Sequence, residues 1–198
     1  DTEDIQETLI KSAADLISEE APNYQYVAGR LINYHLRKMV YGQFEPPCLC
    51  DIVQDNIDEG FYDSEFTDLF TKDEINQLQS YIDHERDEVL TYAAMEQFRG
   101  KYLVQNRATG KIFETPQVAY MMIAATLFAK YPADTRMSYV KAYYDAISTF
   151  KISLPTPVMA GVRTPQRQFS SCVLIETDDS LDSINATSSS IVKYVSQK

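Results

Sequence analysis

The run Val118–Ala129, VAYMMIAATLFA, constrains this chain more than any other stretch. It is too short to span a bilayer, which takes about 20 apolar residues, and it includes Thr126. It reads as a buried helix. Thr115–Pro116 just ahead supplies the expected start, with Thr as N-cap and Pro at the first helical position. A helix that is apolar all round must be enclosed by other elements. The rest of the sequence offers them mostly as further helices.

Residues 3–18 place Ile5, Leu9, Ala13, Leu16 and Ile17 on one face of an amphipathic helix. Pro22 ends that segment. Tyr24–Tyr41 is a second helix with Val27, Leu31, His35 and Met39 on a stripe, closed by Gly42 and Pro46–Pro47. Residues 49–58 form a shorter helix, and Thr71 with Glu74 reads as a capping box opening another. Thr91–Phe98 looks helical, with Gly100 as its stop. Leu103–Gln105 and Lys111–Phe113 flank the turn-like NRATG and predict a small β-hairpin. Asp134 caps a helix reaching about Thr149, and the prolines of LPTP break the pattern. Gln168–Glu176 is then a strand candidate, followed by a helix from about Ser180. Strand then helix is how an α/β unit opens. The predicted fold is mainly α, with the small hairpin and the first strand and helix of an α/β domain.

Composition narrows the function. The chain has 198 residues, 44% of them hydrophobic, and a formal charge of −11. The first 150 residues carry 25 acidic and 13 basic side chains. That acidity repels a phosphate backbone, so no nucleic-acid polymer is expected as partner. Small nucleotides remain compatible, because a few donors suffice for them. Three cysteines and no visible signal peptide fit a reducing, cytoplasmic setting rather than a disulfide framework. No membrane partner is expected. Both ends run into helical patterns, so the chain is expected to be a piece of something longer.

Several residues carry candidate chemistry. Cys172, in FSSCVLIE, is either a small hydrophobe in a buried strand or a redox thiol. Strand alternation puts Ser171 and Cys172 on opposite faces. In TDDSLDSIN, Asp179 or Ser180 can cap the last helix, with Asp178, Asp179 and Asp182 favouring its positive end. Leu181, Ile184, Ser188, Ile191 and Val195 recur at helical spacing, which by pattern alone favours a core-facing stripe over a subunit interface. Thr156, held between Pro155 and Pro157, presents its hydroxyl from a stiff loop. His35 and His84 lack metal-ligand spacing to any cysteine, and Cys48–Leu49–Cys50 has no second pair, so no metal is expected.

Taken together, these tracts resemble a known family. LPTPVMAGVRTPQRQFSSCVLIETDDSLDSINATSSSIVKYVSQK is similar to the large, catalytic subunit of class I ribonucleoside-diphosphate reductase. APNYQYVAGRLINYHLRKMVYGQFEPP, IDHERD and GKYLVQNRATGKIFETPQ resemble its aerobic bacterial form. The resemblance implies three parts: residues 1–45 as the end of a nucleotide-sensing ATP-cone, 46–167 as a helical domain, and 168–198 as the start of a ten-stranded α/β barrel.

It also implies roles. Cys172 matches one of two redox-active cysteines. Thr156 and Ser171 match positions holding the substrate diphosphate. Asp179, Ser180 and Leu181 match the start of the specificity-effector site, and the following helix matches a dimer interface. Thr2 and Lys38 match contacts of the ATP/dATP activity site, although Thr2 also suits the N-cap of the first helix. Gln6 departs from the more basic or imidazole residue of some relatives. The radical-bearing cysteine loop, the second active-site cysteine and the C-terminal reducing pair are missing, so the piece alone is expected to be inactive.

The implied partners are a second large subunit, a small subunit bearing a radical-generating metal centre, ribonucleoside diphosphates, and thioredoxin or glutaredoxin as reductant. ATP/dATP and deoxynucleoside triphosphates are the implied effectors, and no cofactor is expected to be bound by this stretch itself. Two rival readings are a free-standing helical nucleotide-binding or interaction module and a thiol hydrolase pairing Cys172 with His35 or His84.

Overall fold

The computed structural model describes residues 2–196 and places ten α-helices among them. In chain order these are α1 (Thr2–Asp15), α2 (Tyr24–Tyr41), α3 (Leu49–Asp58), α4 (Glu65–Leu69), α5 (Lys72–Tyr81), α6 (Tyr92–Gln97), α7 (Pro116–Phe128), α8 (Ala133–Ser148), α9 (Thr156–Gly161) and α10 (Leu181–Val195). The fold is mainly helical.

Helix α7 is the axis of the core, with every residue from Pro116 to Ala125 buried. Thr115 sits at its N-cap and Pro116 in its first turn, as expected. The Thr115 side chain makes no cap hydrogen bond, and its hydroxyl instead meets the Tyr41 hydroxyl at 3.2 Å. Helix α8 packs along α7, and α9 closes against it from the C-terminal side. Helix α8 begins at Ala133 with Pro132 at its cap, so Asp134 lies inside the first turn rather than capping it.

Helix α2 spans the expected Tyr24–Tyr41. Gly42 ends it at φ 70°, a left-handed position that glycine adopts freely, and its N–H donates to the Lys38 carbonyl. The buried face differs from the expected stripe. It carries Ala28, Gly29, Ile32, His35 and Leu36, while Val27 and Met39 are exposed. Gly29 lets the helix approach the backbone at Leu90–Thr91 so closely that an added Cβ would collide with the Leu90 carbonyl oxygen. Helix α1 packs on α2 through Ile10 and Ala13, leaving Ile5, Leu9, Leu16 and Ile17 exposed. Of the apolar face read from the sequence, only Ala13 is covered among the described residues, and Ile10, outside that face, is buried instead.

The Thr71–Glu74 capping box forms with both reciprocal bonds. Helix α6 does not stop at Gly100. It continues into a π-helical turn over Phe98–Tyr102.

The expected hairpin reduces to one antiparallel bridge between Gln105 and Ile112. A ladder would need the Val104 N–H to face the partner strand, but it donates to the Glu114 carboxylate at 2.6 Å. Gln168–Glu176 likewise forms no strand among the described residues. The segment is open-chained and largely exposed, with Leu174 at 98% exposure. A strand exists only when a neighbouring strand takes its backbone bonds, and among the described residues no strand lies beside this segment.

Helix α10 lies back along this segment. The Gln168 amide donates to the Tyr194 hydroxyl, which in turn reaches the Ser170 carbonyl at 3.4 Å, and the hydroxyls of Thr177 and Thr187 meet at 2.7 Å.

Candidate functional site

The C-terminal candidates rest on a buried polar knot. Arg163, just after α9, has a fully buried side chain, as does Glu114 just before α7. Arg163 Nε donates to Glu114 Oε2 at 2.8 Å, and its other nitrogens reach the carbonyls of Met159 at 2.7 Å and Tyr102 at 2.9 Å. Glu114 also accepts from the Tyr62 hydroxyl at 2.5 Å. Burial, and then the Glu114 charge, push the Tyr62 hydroxyl well above its ordinary pKa. This knot ties α9 to α7 and to the loop before α4. It fixes the base from which residues 164–180 extend.

Thr156 is the first residue of α9 and is half-buried, with Pro155 at the cap and Pro157 in the first turn, where a missing N–H costs nothing. LPTP thus starts a short helix instead of only breaking one. Ser171 and Cys172 lie on the exposed segment beyond it. Among the described residues no hydrogen bond joins Thr156 to Ser171 or Cys172, so the structure sets them on successive elements without closing them into one pocket. Neither His35 nor His84 is bonded to Cys172, and the thiol-hydrolase arrangement is not present. Burial, followed by the Arg37 charge, lowers His84 to about 4 and keeps it neutral.

The candidates at the next turn are well ordered locally. Ser180 is the N-cap of α10 and accepts from the Ser183 N–H at 3.2 Å. The Ser183 hydroxyl accepts from the Asp178 N–H at 2.8 Å, and the Asp179 N–H donates to the Asp178 carboxylate at 2.8 Å. Leu181 is 80% exposed, and no residue of α10 is buried. The core-facing stripe expected from pattern alone is therefore absent, and Ile184, Ile191, Val192 and Val195 face outward.

At the N-terminal end, Thr2 is the first residue of α1 and lies within the helix rather than at its cap. The Lys38 ammonium lies 4.6 Å from the centre of the Tyr34 ring. Between α1, α2 and the π-helical turn lies a cavity of about 270 Å³, lined among others by Glu3, Glu7, His35, Met39 and Arg99. Gln6 Oε1 bonds to His35 Nδ1, and Arg99 donates to Glu7 at 2.8 Å. That bond holds the Glu7 carboxyl below its usual range. Sequence reading missed this cluster. Glu3 and Glu7 stand at i, i+4 on α1, and that spacing was its only local signal.

Among the described residues no cluster of His, Cys, Asp and Glu could hold a metal ion, and no helix is long and apolar enough to cross a membrane.

Residues 88–167 match the family described as ribonucleotide reductase, all-alpha domain, and the chain is similar along its whole length to ribonucleoside-diphosphate reductase alpha subunits. It is 62% identical to ribonucleoside-diphosphate reductase 1 subunit alpha of Escherichia coli over 197 residues, covering 100% of this chain and 26% of that protein. The alpha subunits of Salmonella typhimurium and Haemophilus influenzae are 61% and 60% identical over the same share. The chain thus spans about a quarter of the length of these relatives.

Proposed function

We propose that this chain contributes to a reductase converting ribonucleoside diphosphates to deoxyribonucleoside diphosphates, supplying one active-site thiol, part of the substrate diphosphate site and part of two effector sites. The observation that carries this reading is the match along the whole chain to ribonucleoside-diphosphate reductase alpha subunits. The arrangement after α9 supports it. Residues 168–176 form no helix or strand and are largely exposed, and α10 folds back onto them, which suits the first strand and helix of a barrel completed by further sequence. On this reading residues 1–45 close an ATP-cone, 46–167 form the helical domain and 168–198 open the barrel.

In the complete subunit the reaction needs a proton for a poor leaving group, the 2′ hydroxyl, and two electrons. A radical relayed from the small subunit to a further cysteine of the barrel takes the ribose 3′ hydrogen as a thiyl radical. The 3′ carbon radical left behind weakens the adjacent 2′ C–O bond, and the hydrogen is returned to the 3′ carbon at the end. Cys172 donates its thiol proton to the departing oxygen. It then supplies electrons by forming a disulfide with a second cysteine, a two-electron couple that thioredoxin or glutaredoxin resets. Thr156 and donors at Ser171 hold the diphosphate, so that the ribose meets the thiols in one orientation. Asp179, Ser180 and Leu181 bind a deoxynucleoside triphosphate at the root of α10, whose exposed apolar stripe serves as the interface with a second large subunit. Thr2 and Lys38 contact ATP or dATP. The setting is cytoplasmic.

The test is reconstitution of the full-length subunit with its small subunit and a dithiol reductant. Effector-dependent deoxyribonucleotide formation supports the proposal, and an altered substrate preference in Asp179→Ala supports the effector assignment. No deoxyribonucleotide under any effector overturns the function. A preference unchanged in Asp179→Ala overturns the effector role alone.

A further inference from the structure

Cys48 and Cys50 have no part in the proposed reaction, and the sequence alone suggests only packing for them. Cys50 does pack against the core, yet both residues are only half-buried, which leaves their thiols open to reagents. Cys48 is the N-cap of α3 in extended conformation, φ −64° and ψ 146°. Its sulfur turns back over the helix end and accepts the Asp51 N–H at 3.4 Å. Cys50 is the second residue of α3. Its thiol donates to Asn76 Oδ1 at 3.3 Å and lies 4.0 Å from the Lys72 carbonyl, at the start of α5.

Within a helix, residues i and i+2 point to opposite sides. The capping conformation removes that obstacle, because it swings the first sulfur towards the helix end. Leu49 between them is helical, which sets the two Cα atoms about 5.4 Å apart. Disulfides span Cα separations of roughly 4.4–6.8 Å. Burial raises the Cys50 thiol pKa, and the neighbouring Cys48 raises it further, so the two sulfurs act on each other.

We infer that Cys48 and Cys50 form an oxidisable dithiol that closes to an intrachain disulfide by exchange with a low-molecular-weight disulfide such as oxidised glutathione. In the first step one cysteine, as thiolate, attacks the oxidant's sulfur–sulfur bond. A mixed disulfide forms and one reduced glutathione leaves. The second cysteine then loses its proton to water, attacks the mixed disulfide at the protein sulfur and expels the second glutathione. The protein gives up two electrons and two protons, and the oxidant is reduced to two thiols. Closure withdraws the Cys50 S–H from Asn76 and loosens the seam of α3 with α5. That seam adjoins the Gly42–Pro47 connection leading out of α2.

The test is incubation of the intact protein with oxidised glutathione, alkylation of remaining thiols and mass spectrometry after tryptic cleavage. Residues 39–72 form one peptide with both cysteines and without Cys172. The expected result is a loss of two hydrogens from that peptide, no alkylation, and full reversal by dithiothreitol. In Cys50→Ser the reaction should stop at a glutathione adduct on Cys48. Two alkyl groups on the wild-type peptide, two stable glutathione adducts, or a disulfide between chains would each overturn the inference.

Discussion

Arg163 and Glu114 form an ion pair with both side chains at 0% exposure, between the end of α9 and the start of α7. Every polar arm of the pair is used. The guanidinium also serves two backbone carbonyls, and the carboxylate also accepts from Tyr62 and from the Val104 N–H. Removing one partner leaves the other charge buried and unpaired, which typically costs 3–5 kcal/mol. Arg163→Met is expected to lose about that much in urea denaturation. Adding Glu114→Gln to the same variant should recover part of the loss, because the stranded charge is gone. An Arg163→Met protein of wild-type stability would contradict this account.

Gly29 is irreplaceable for a different reason. The Leu90 carbonyl occupies the space of its missing Cβ. That oxygen belongs to backbone and cannot swing aside. Gly29→Ala is expected to destabilise by about 1–3 kcal/mol, as overpacked sites do, despite alanine's better helix propensity. A thermal melt at or above the wild-type midpoint would refute it.

Asp87 should impose a pH dependence on stability. Burial raises its pKa from 3.8 to about 7, outweighing the Gln117 hydrogen bond and the Arg37 guanidinium 3.7 Å away. The native state therefore holds a proton that the unfolded chain releases above about pH 4. This contribution to stability is fully present below the unfolded pKa and is lost as pH rises through about 7. Asp87→Asn keeps an acceptor for the Gln117 amide and removes the titration. Its stability should change less between pH 4 and 7 than the wild type's, measured by denaturant midpoints. Identical slopes would exclude Asp87 as the source.

Ser180 combines a structural role with a proposed one, and the two separate by substitution. Loss of the cap in Ser180→Ala should weaken α10 by about 1 kcal/mol, seen as faster amide exchange in its first turn. Ser180→Asp keeps a capping oxygen but adds charge where a nucleotide phosphate is proposed to bind. It should preserve protection in α10 and weaken effector binding.

Local signals in the sequence held at several element ends and failed at others, since Asp134 lies inside α8 and Gly100 inside the π-helical turn. Gly42 ends α2, Thr71 and Glu74 cap α5, and Ser180 opens α10, each because the deciding bonds span three or four residues. Non-local features were not legible. The pairing of 168–176 depends on a neighbour distant in sequence, and alternation cannot say whether one is present. The hairpin failed because Glu114 captured the Val104 N–H, a choice made by the Arg163 knot 49 residues away. Helix α9 was hidden because prolines read as breakers, although the first turn tolerates them. For the site, resemblance named Cys172, Thr156 and Ser180, while Glu7, His35 and Arg99 come together only through the packing of α1 on α2.

The measurement that bears most directly on the central claim is a single turnover of the full-length subunit, pre-reduced and mixed with small subunit, effector and a ribonucleoside diphosphate, without external reductant. The wild-type protein should form deoxyribonucleotide, with Cys172 becoming resistant to alkylation as its thiol enters a disulfide. Cys172→Ser should form none. Deoxyribonucleotide from Cys172→Ser in wild-type amount would remove Cys172 from the reaction and contradict the account.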